Sequence, residues 1–270
     1  MTNLREKAWT WGYVIPESGV VIPNDRAGVV PFVGPSGCSL ETAANYLGTP
    51  NVIFMNSNHS RETLKPEYLE RVASNKRVIC GLAHGAYEET ARDVSRLSRH
   101  YPNICGGLID DFMDFHGPSR DMTVKETRHV YEALKSENPE LKLYVVRYTW
   151  QDQRDLEPYL PYIDAVNLWV WVGNTHDWQV KMSLELENIT RKLGKPLLLG
   201  LFIHDYGGTG QAIALDILET QMKKAVTYAK SNLIDGLVIL QSGWFDHEDH
   251  RPQVQWLKQY LDWVFGTRTE

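Results

Sequence analysis

The sequence predicts an α/β protein, a (β/α)8 barrel that forms one domain over residues 1–270. Short apolar runs alternate eight times with longer amphipathic stretches, which is typical of βαβ units and a parallel sheet. Eight units in 270 residues leave about 34 residues for each, as in a closed barrel. The alternative, an open doubly wound sheet, usually has a glycine-rich turn after its first strand, where this chain has Pro16-Glu-Ser-Gly19.

The predicted strands are almost continuously apolar, as expected for parallel strands that are covered on both faces. They are Trp9–Ile15, Asn51–Asn56, Arg77–His84, Ile104–Phe112, Leu141–Tyr148, Ala165–Trp171, Pro196–Asp205 and Gly236–Gln241.

The predicted helices lie between these strands and begin or end at recognisable signals. Thr123-Val-Lys-Glu126 is a capping box, Pro66 suits a first helical turn, and Gly194 closes a long helix. The helices are Ser39–Leu47, Lys65–Ala73, Glu88–His100, Thr123–Ser136, Leu156–Tyr162, Asp177–Leu193, Leu215–Lys230 and Gln253–Val264.

Composition and charge exclude several classes of protein. The chain has 28 Lys and Arg against 34 Asp and Glu, a net charge of −6, and no basic block of the kind that binds nucleic acid. Three cysteines are too few for a disulfide framework or a zinc site. The longest apolar run, Pro196 to Ile203, is too short for a membrane span, and no apolar stretch follows Arg5-Glu-Lys7. We expect a cytoplasmic protein without a signal peptide.

Polar and aromatic residues gather where the predicted strands end. In barrel enzymes the active site is built at the carboxyl ends of the strands, so this asymmetry predicts an enzyme. The candidate catalytic residues are Asp110, Asp111 and Asp205. The candidate substrate-binding residues are Trp11, Glu17, Asn56, His84, Arg147, Tyr148, Asn167, Trp169, Trp171, His204, Gln241 and Trp244.

Asp110 and Asp111 are the strongest candidates, because two adjacent carboxylates close a buried strand. Neighbouring residues of a strand face opposite ways, so one should reach the barrel mouth and the other a loop or helix N-terminus. Their pattern does not show which one faces the mouth. The functional interpretation is a general acid, base or nucleophile. The structural alternative is an ion pair with Arg147, or a cap.

Asp205 lies roughly across the predicted barrel and could be the second carboxylate. Glycoside hydrolysis needs two, about 5–5.5 Å apart for retention and about 6.5–9.5 Å for inversion. Asp205 could instead cap the turn Tyr206-Gly-Gly, where aspartate is common. Glu17 and Asp246 are reserve carboxylates.

Three lone polar residues, Arg147, Asn167 and Gln241, interrupt buried strands. A polar side chain is least costly facing the barrel mouth, where water or a ligand can satisfy it. If Asn167 points inwards, Trp169 and Trp171 do too. We expect these polar groups and His204 to bind hydroxyl groups. We expect the tryptophans at the rim to stack on sugar rings, with Trp244 as the floor of the site.

Histidines at the rim leave a metal site open as an alternative. His84, His204, His247 and His250 could join the aspartates around a divalent ion. No compact ligand spacing is present, so the prediction is no cofactor, with a divalent metal as the alternative.

The segment Cys-Gly-Gly-Leu-Ile-Asp-Asp-Phe-Met-Asp, from Cys105 to Asp114, is similar to the acidic fourth-strand end of chitinase-like barrels. Trp244 matches the tryptophan that closes the sugar subsite from their eighth strand. Their final Glu is absent, with Asp114 nearest to it. The fourth-strand Asn-Glu and seventh-strand Glu of the large retaining-glycosidase clan are also absent. The chain therefore resembles (β/α)8 glycoside hydrolases and their uncharacterised bacterial relatives, without matching one family.

The resemblance and the rim residues together predict an O-glycosyl hydrolase for a small glycoside or oligosaccharide, with Asp110 or Asp111 and Asp205 as its carboxylates. One alternative is a metal-dependent sugar isomerase, lyase or hydrolase that uses His84, Asp111, His204 and His247. The other is a non-catalytic carbohydrate-binding barrel. No nucleic-acid or membrane partner is expected.

Overall fold

The computed structural model describes residues 3–14, 38–55, 64–113, 121–151 and 155–266. Eight parallel strands form a closed barrel in chain order, and the eighth pairs with the first. The predicted (β/α)8 barrel is confirmed. The strands are β1 Ala8–Gly12, β2 Asn51–Phe54, β3 Arg77–Gly81, β4 Ile104–Ile109, β5 Lys142–Tyr148, β6 Ala165–Trp169, β7 Leu197–Phe202 and β8 Gly236–Leu240.

Helical segments follow the strands and cover the outside of the barrel. Those in α-helical form are α1 Leu40–Leu47, α2 Pro66–Leu69, α3 Tyr87–Leu97, α4 Val124–Leu134, α5 Met182–Glu187, α6 Leu215–Lys230 and α7 Arg251–Phe265. The π-helical turns Asp177–Lys181 and Asn188–Lys192 extend α5 at both ends. Between β5 and β6 the predicted helix is a 3-10 helix, Glu157–Tyr162, because Pro158 and Pro161 cannot donate backbone hydrogen bonds.

Each helix packs an apolar stripe against the barrel. In α6 the buried side chains include Leu218, Met222, Ala225 and Ala229, whose spacing of three or four residues places them on one helix face. The predicted capping box of α4 is confirmed, since the Thr123 hydroxyl accepts from the Glu126 amide and the Glu126 carboxylate accepts from the Thr123 amide. Local signals and burial therefore agree about where the helices lie.

Aromatic side chains fill the inside of the barrel. Trp11 in β1 and Trp169 in β6 have ring centroids 5.6 Å apart, although β1 and β6 are not neighbours in the sheet. Both rings must therefore point into the barrel. Asn167 precedes Trp169 by two residues and shares its face, and its Nδ2 donates to the Leu198 carbonyl at 3.1 Å. The predicted inward orientation of Asn167 and Trp169 is confirmed.

A glycine makes room for this aromatic layer. A Cβ placed on Gly200 in β7 would lie 2.0 Å from Cδ2 and Cε3 of Trp169. Trp169 also packs against Phe202, with ring centroids 4.8 Å apart. The indole is thus held directly against the β7 backbone, just below the barrel mouth.

The strands end earlier than predicted. β4 ends at Ile109, β7 at Phe202 and β8 at Leu240. Asp110, His204 and other candidate residues therefore lie in the first positions of the loops and not in the ladder.

Replacing Gly200 with alanine should destabilise the fold by about 2–3 kcal/mol, because the added methyl group overlaps the Trp169 ring. Urea unfolding of the variant and the wild type measures the difference. A Gly200→Ala/Trp169→Leu double variant is the control, and should lose less stability than the sum of the single changes. A Gly200→Ala variant as stable as the wild type would contradict this packing.

Candidate functional site

Asp110 faces the inside of the barrel because of the alternation along β4. A Cβ on Gly107 would meet Leu82 and Leu134, the latter in α4, so Gly107 faces the helices. Leu108 and Asp110 then share the opposite face, which is the barrel interior. Asp110 is half-buried at the mouth.

Asp111 reaches the same mouth through a change of backbone conformation. Its φ is 46°, in the left-handed region that few residues other than glycine adopt. Its Oδ1 accepts a hydrogen bond from the Tyr148 hydroxyl at 2.7 Å, and its amide donates to Asp110 Oδ1 at 3.0 Å. The expectation that the two carboxylates face opposite ways is wrong, because the left-handed residue breaks the alternation.

Four tyrosines surround the two carboxylates. They come from four places in the chain: Tyr13 after β1, Tyr87 at the start of α3, Tyr148 at the end of β5 and Tyr206 after β7. Burial raises the pKa of each hydroxyl, and the charge of Asp110 raises it further. Asp111 has the same effect on the pKa of the first three. All four hydroxyls therefore keep their protons and can donate hydrogen bonds.

Three of these tyrosines were missed as site residues at the level of sequence. Tyr13 and Tyr206 do fall among the aromatic residues at the predicted rim, but they were not selected as site residues. Tyr87 begins a helix, and nothing in its sequence context shows that it comes near the carboxylates.

Burial raises the pKa of Asp110 from its usual value to about 6. The hydrogen bond from the Asp111 amide opposes this shift but does not cancel it. A carboxyl group with this pKa carries a proton in part of the molecules near neutral pH. That is the property required of a general acid.

Gln241 and Trp244 both donate hydrogen bonds to the hydroxyl oxygen of Tyr206. Gln241 Nε2 donates to the Tyr206 hydroxyl oxygen at 3.0 Å, and Trp244 Nε1 donates to the same oxygen at 2.7 Å. Both lone pairs of the Tyr206 hydroxyl oxygen therefore accept hydrogen bonds, and its O–H group is left to donate to another acceptor. Asp110 is the charged group that acts on Tyr206.

Two histidines hold Trp244 in place. The rings of His204 and His250 stack on the indole at 4.2 and 4.5 Å between centroids. His204 Nδ1 and His250 Nε2 are 3.0 Å apart. Burial lowers the pKa of each histidine to about 4, so both are neutral at pH 7. Trp244 is 4% exposed, so little of its surface is open to a ligand, and its role as the floor of a sugar site stays a prediction.

Arg147 does not reach the mouth, and its predicted role in binding hydroxyls is wrong. Its Nε donates to Glu185 Oε1 at 2.5 Å and another guanidinium nitrogen donates to the Gln151 carbonyl at 2.8 Å. Glu185 belongs to α5, so Arg147 faces the helix layer. The reason is alternation, since Tyr148 takes the inward position next to it.

Asn167 and Asp205 are also engaged elsewhere. Asn167 is fully buried beneath the Trp169 layer, too deep to reach a ligand at the mouth, which corrects that expectation. The Asp205 carboxylate accepts from the amides of Thr209 at 2.8 Å and Gly173 at 3.4 Å. The alternative in which Asp205 caps its own turn is confirmed.

The remaining candidates divide by depth. Trp11 and Trp169 are buried inside the barrel, whereas Trp171 is half-buried and contacts Tyr148 and Tyr206 at 5.4 and 5.7 Å between centroids. The exposed His84 ring lies 5.7 Å from the ring of Tyr87. Glu17, Asn56 and Asp114 lie outside the described residues.

Within the described ranges, no three His, Cys, Asp or Glu side chains come together as a metal site. The alternative set of His84, Asp111, His204 and His247 is therefore not assembled as a ligand group. In the same ranges no helix is long and apolar enough to cross a membrane.

No protein-family profile and no curated protein matches the chain. Solved structures do. A family 18 chitinase from Crocus vernus has a TM-score of 0.51 and 13% identity, and the match covers 94% of this chain and 99% of the chitinase. A β-galactosidase from the psychrophilic Marinomonas ef1 has a TM-score of 0.62 and 9% identity, with 96% of this chain and 62% of that one covered.

The chain has the barrel fold of glycoside hydrolases. It shares that fold with a xylanase-α-amylase inhibitor protein, solved in complex with trehalose, at a TM-score of 0.54 and 13% identity over 91% of this chain and 97% of the inhibitor. The sequence-based resemblance to glycoside-hydrolase barrels is confirmed. At these identities the similarity shows the fold, and the chain spans just under two thirds of the galactosidase.

Asp110→Asn should stabilise the protein more at pH 7 than at pH 4. The folded pKa of about 6 lies above the unfolded value of about 3.9, so the folded state binds more protons between these values. Wild-type stability is therefore lost as pH rises through this window, by roughly 2 kcal/mol, and asparagine has no such loss.

Urea unfolding of wild type and variant at several pH values measures this difference. The comparison at each pH cancels the contribution of His204 and His250, whose lowered pKa destabilises both proteins as pH falls below about 6.5. A stability difference that does not change between pH 4 and pH 7 would contradict the raised pKa of Asp110.

Proposed function

We propose that the protein hydrolyses a glycosidic bond in a small glycoside or oligosaccharide, with Asp110 as the general acid and base and Asp111 as its partner carboxylate. One observation carries the proposal. Two carboxylates share the mouth of a glycoside-hydrolase-type barrel, and burial raises the pKa of one of them to about 6.

The reaction follows from the different surroundings of the two groups. Asp110 in its protonated form gives its proton to the leaving-group oxygen as the glycosidic C–O bond breaks. The Asp111 carboxylate, held by the Tyr148 hydroxyl, stabilises the positive charge that develops on the sugar ring. Water then adds to the anomeric carbon and returns a proton to Asp110. The acid is restored and no other reactant is needed.

The tyrosines supply hydrogen bonds for substrate hydroxyl groups. Tyr13, Tyr87 and Tyr206 stay protonated because of burial, so they donate at any pH where the fold persists. Trp171 is half-buried and stacks on Tyr206, with ring centroids 5.7 Å apart. The part of its indole that remains exposed suits the apolar C–H surface of a sugar, while the hydroxyls suit its polar edge.

A second candidate function is sugar binding without turnover. Two observations favour it. A barrel neighbour that is nearly fully covered is an inhibitor protein solved with trehalose. In addition, the chain lacks the final Glu of the chitinase-like pattern, and Asp114 is the residue nearest to it. The variants Asp110→Asn and Asp111→Asn distinguish hydrolysis from sugar binding without turnover.

Asp110→Asn and Asp111→Asn should each lower kcat about 10²–10⁴-fold on any glycoside that the wild type hydrolyses, found by a screen of aryl glycosides and neutral oligosaccharides. Wild-type kcat should fall as pH rises above about 6, because Asp110 loses its proton. Product release measured by chromatography tests both points.

Asp205→Asn is the control. It distinguishes the proposed pair, Asp110 and Asp111, from the pair predicted from the sequence, in which Asp205 is the second carboxylate. It should lower Tm, since Asp205 accepts from loop amides, and retain most of kcat. Wild-type turnover in Asp110→Asn would contradict the proposed acid. Sugar binding that survives in both carboxylate variants, with no product from the wild type, would instead establish the binding function.

A further inference from the structure

A cavity of about 300 Å³ opens among residues that follow β5 and β6. Its volume is at the lower end of the range for ligand pockets, and it can take one small ring. Its lining residues are Thr149, Trp150, Trp171, Val172, Asp177 and Lys181.

One side chain separates this cavity from the reacting groups. Trp150 stacks on the Tyr148 ring at 5.9 Å with an interplanar angle of 12°, and Trp171 meets that ring edge to face at 5.4 Å. The other end of Tyr148 is its hydroxyl, which donates to Asp111. A ligand in the cavity would therefore lie one aromatic ring away from a ligand at Asp111.

The walls of the cavity combine the apolar faces of two indoles with a charged pair, Lys181 and Asp177. Trp150 is 40% exposed, although an indole of this size is usually covered. Lys181 Nζ lies 3.1 Å from Asp177 Oδ1, so an ammonium donor stands beside a carboxylate acceptor. Adjacent hydroxyl groups of a sugar match such a pair, since each hydroxyl both donates and accepts.

The charges in the cavity favour a neutral ligand over an ion. A cation that stacked on the indoles would meet the charge of Lys181, and an anion such as phosphate would meet the charge of Asp177. Because the two charges are already paired, a neutral polyhydroxylated ring leaves no charge uncompensated. A neutral sugar therefore fits the charges and the apolar faces together.

We propose that this cavity is a subsite for a second, neutral sugar unit, next to the unit whose glycosidic bond is cleaved between Asp110 and Asp111. The inference rests on the proposed function and deepens it. The substrate is then an oligosaccharide that runs from Asp111 past Tyr148 onto Trp150, and not a glycoside with a small non-sugar group at that end.

Trp150→Ala tests the subsite, with Trp263→Ala as a matched control. Trp263 lies on α7 and is 74% exposed, so both changes remove an exposed indole and only the first affects the cavity. Each is made in the Asp110→Asn variant, which prevents hydrolysis. Isothermal titration then measures binding of cello-, xylo-, malto- and chito-oligosaccharides of two to six units.

The expected result is that affinity rises with chain length in the Asp110→Asn parent and in the Trp263 control. Trp150→Ala should lose that rise, roughly tenfold in Kd for the longer sugars. Lys181→Met is the second variant, because Trp150 also supports Tyr148. This change keeps the aliphatic part of the side chain and removes the ammonium donor. It should also weaken the binding of the longer oligosaccharides.

The outcomes separate the subsite from the catalytic proposal. Binding in Trp150→Ala and Lys181→Met equal to that in the Trp263 control overturns the subsite, and so does an absence of binding to every oligosaccharide. A wild type that forms no product but whose binding depends on Trp150 and Lys181 supports the subsite and refutes hydrolysis. Turnover that is independent of chain length and of Trp150 supports hydrolysis and refutes the subsite.

Discussion

The closure of eight parallel strands into a barrel is the constraint on which the whole site depends. In a closed ring, every second side chain of each strand must point inwards, and contacts such as Trp11 with Trp169 join strands that are not neighbours. The same alternation turns Tyr148 towards the carboxylates and Arg147 towards Glu185 in the helix layer. Small residues such as Gly200 let large rings fill the space that remains.

The backbone of the site departs from regular strand geometry at Asp111. The left-handed backbone of Asp111, which costs about 1–2 kcal/mol in a residue other than glycine, brings two carboxylates to one mouth. Desolvation then raises the pKa of Asp110, while Asp111 accepts from Tyr148. A supporting chain, in which His204 stacks on Trp244 and Trp244 donates to Tyr206, orients a further hydroxyl beside them.

The sequence predicted the barrel because hydrophobic periodicity repeats eight times, and it selected Asp110 and Asp111 as candidates because they follow the apolar run of β4. It could not predict interactions that cross the barrel. Arg147 was expected at the mouth as a lone polar residue in a buried strand. Its partner, Glu185, lies on a helix far along the chain, where the strand pattern could not reveal it. The sequence allowed Asp205 to be either a second catalytic carboxylate or the cap of its own turn. The hydrogen bonds from the loop amides show the cap. The positive φ of Asp111 leaves no trace in a pattern of side chains.

The proposed reaction depends on the pKa of Asp110, which burial raises to about 6. Carbon-13 NMR titration of the aspartate carboxyl groups, in the wild type and in Asp110→Asn, tests it directly. The account predicts one carboxyl signal that titrates near pH 6 and is missing from the variant. If every aspartate of the wild type titrates below about pH 5, in the ordinary range for this residue, Asp110 is not the acid and the proposed reaction fails.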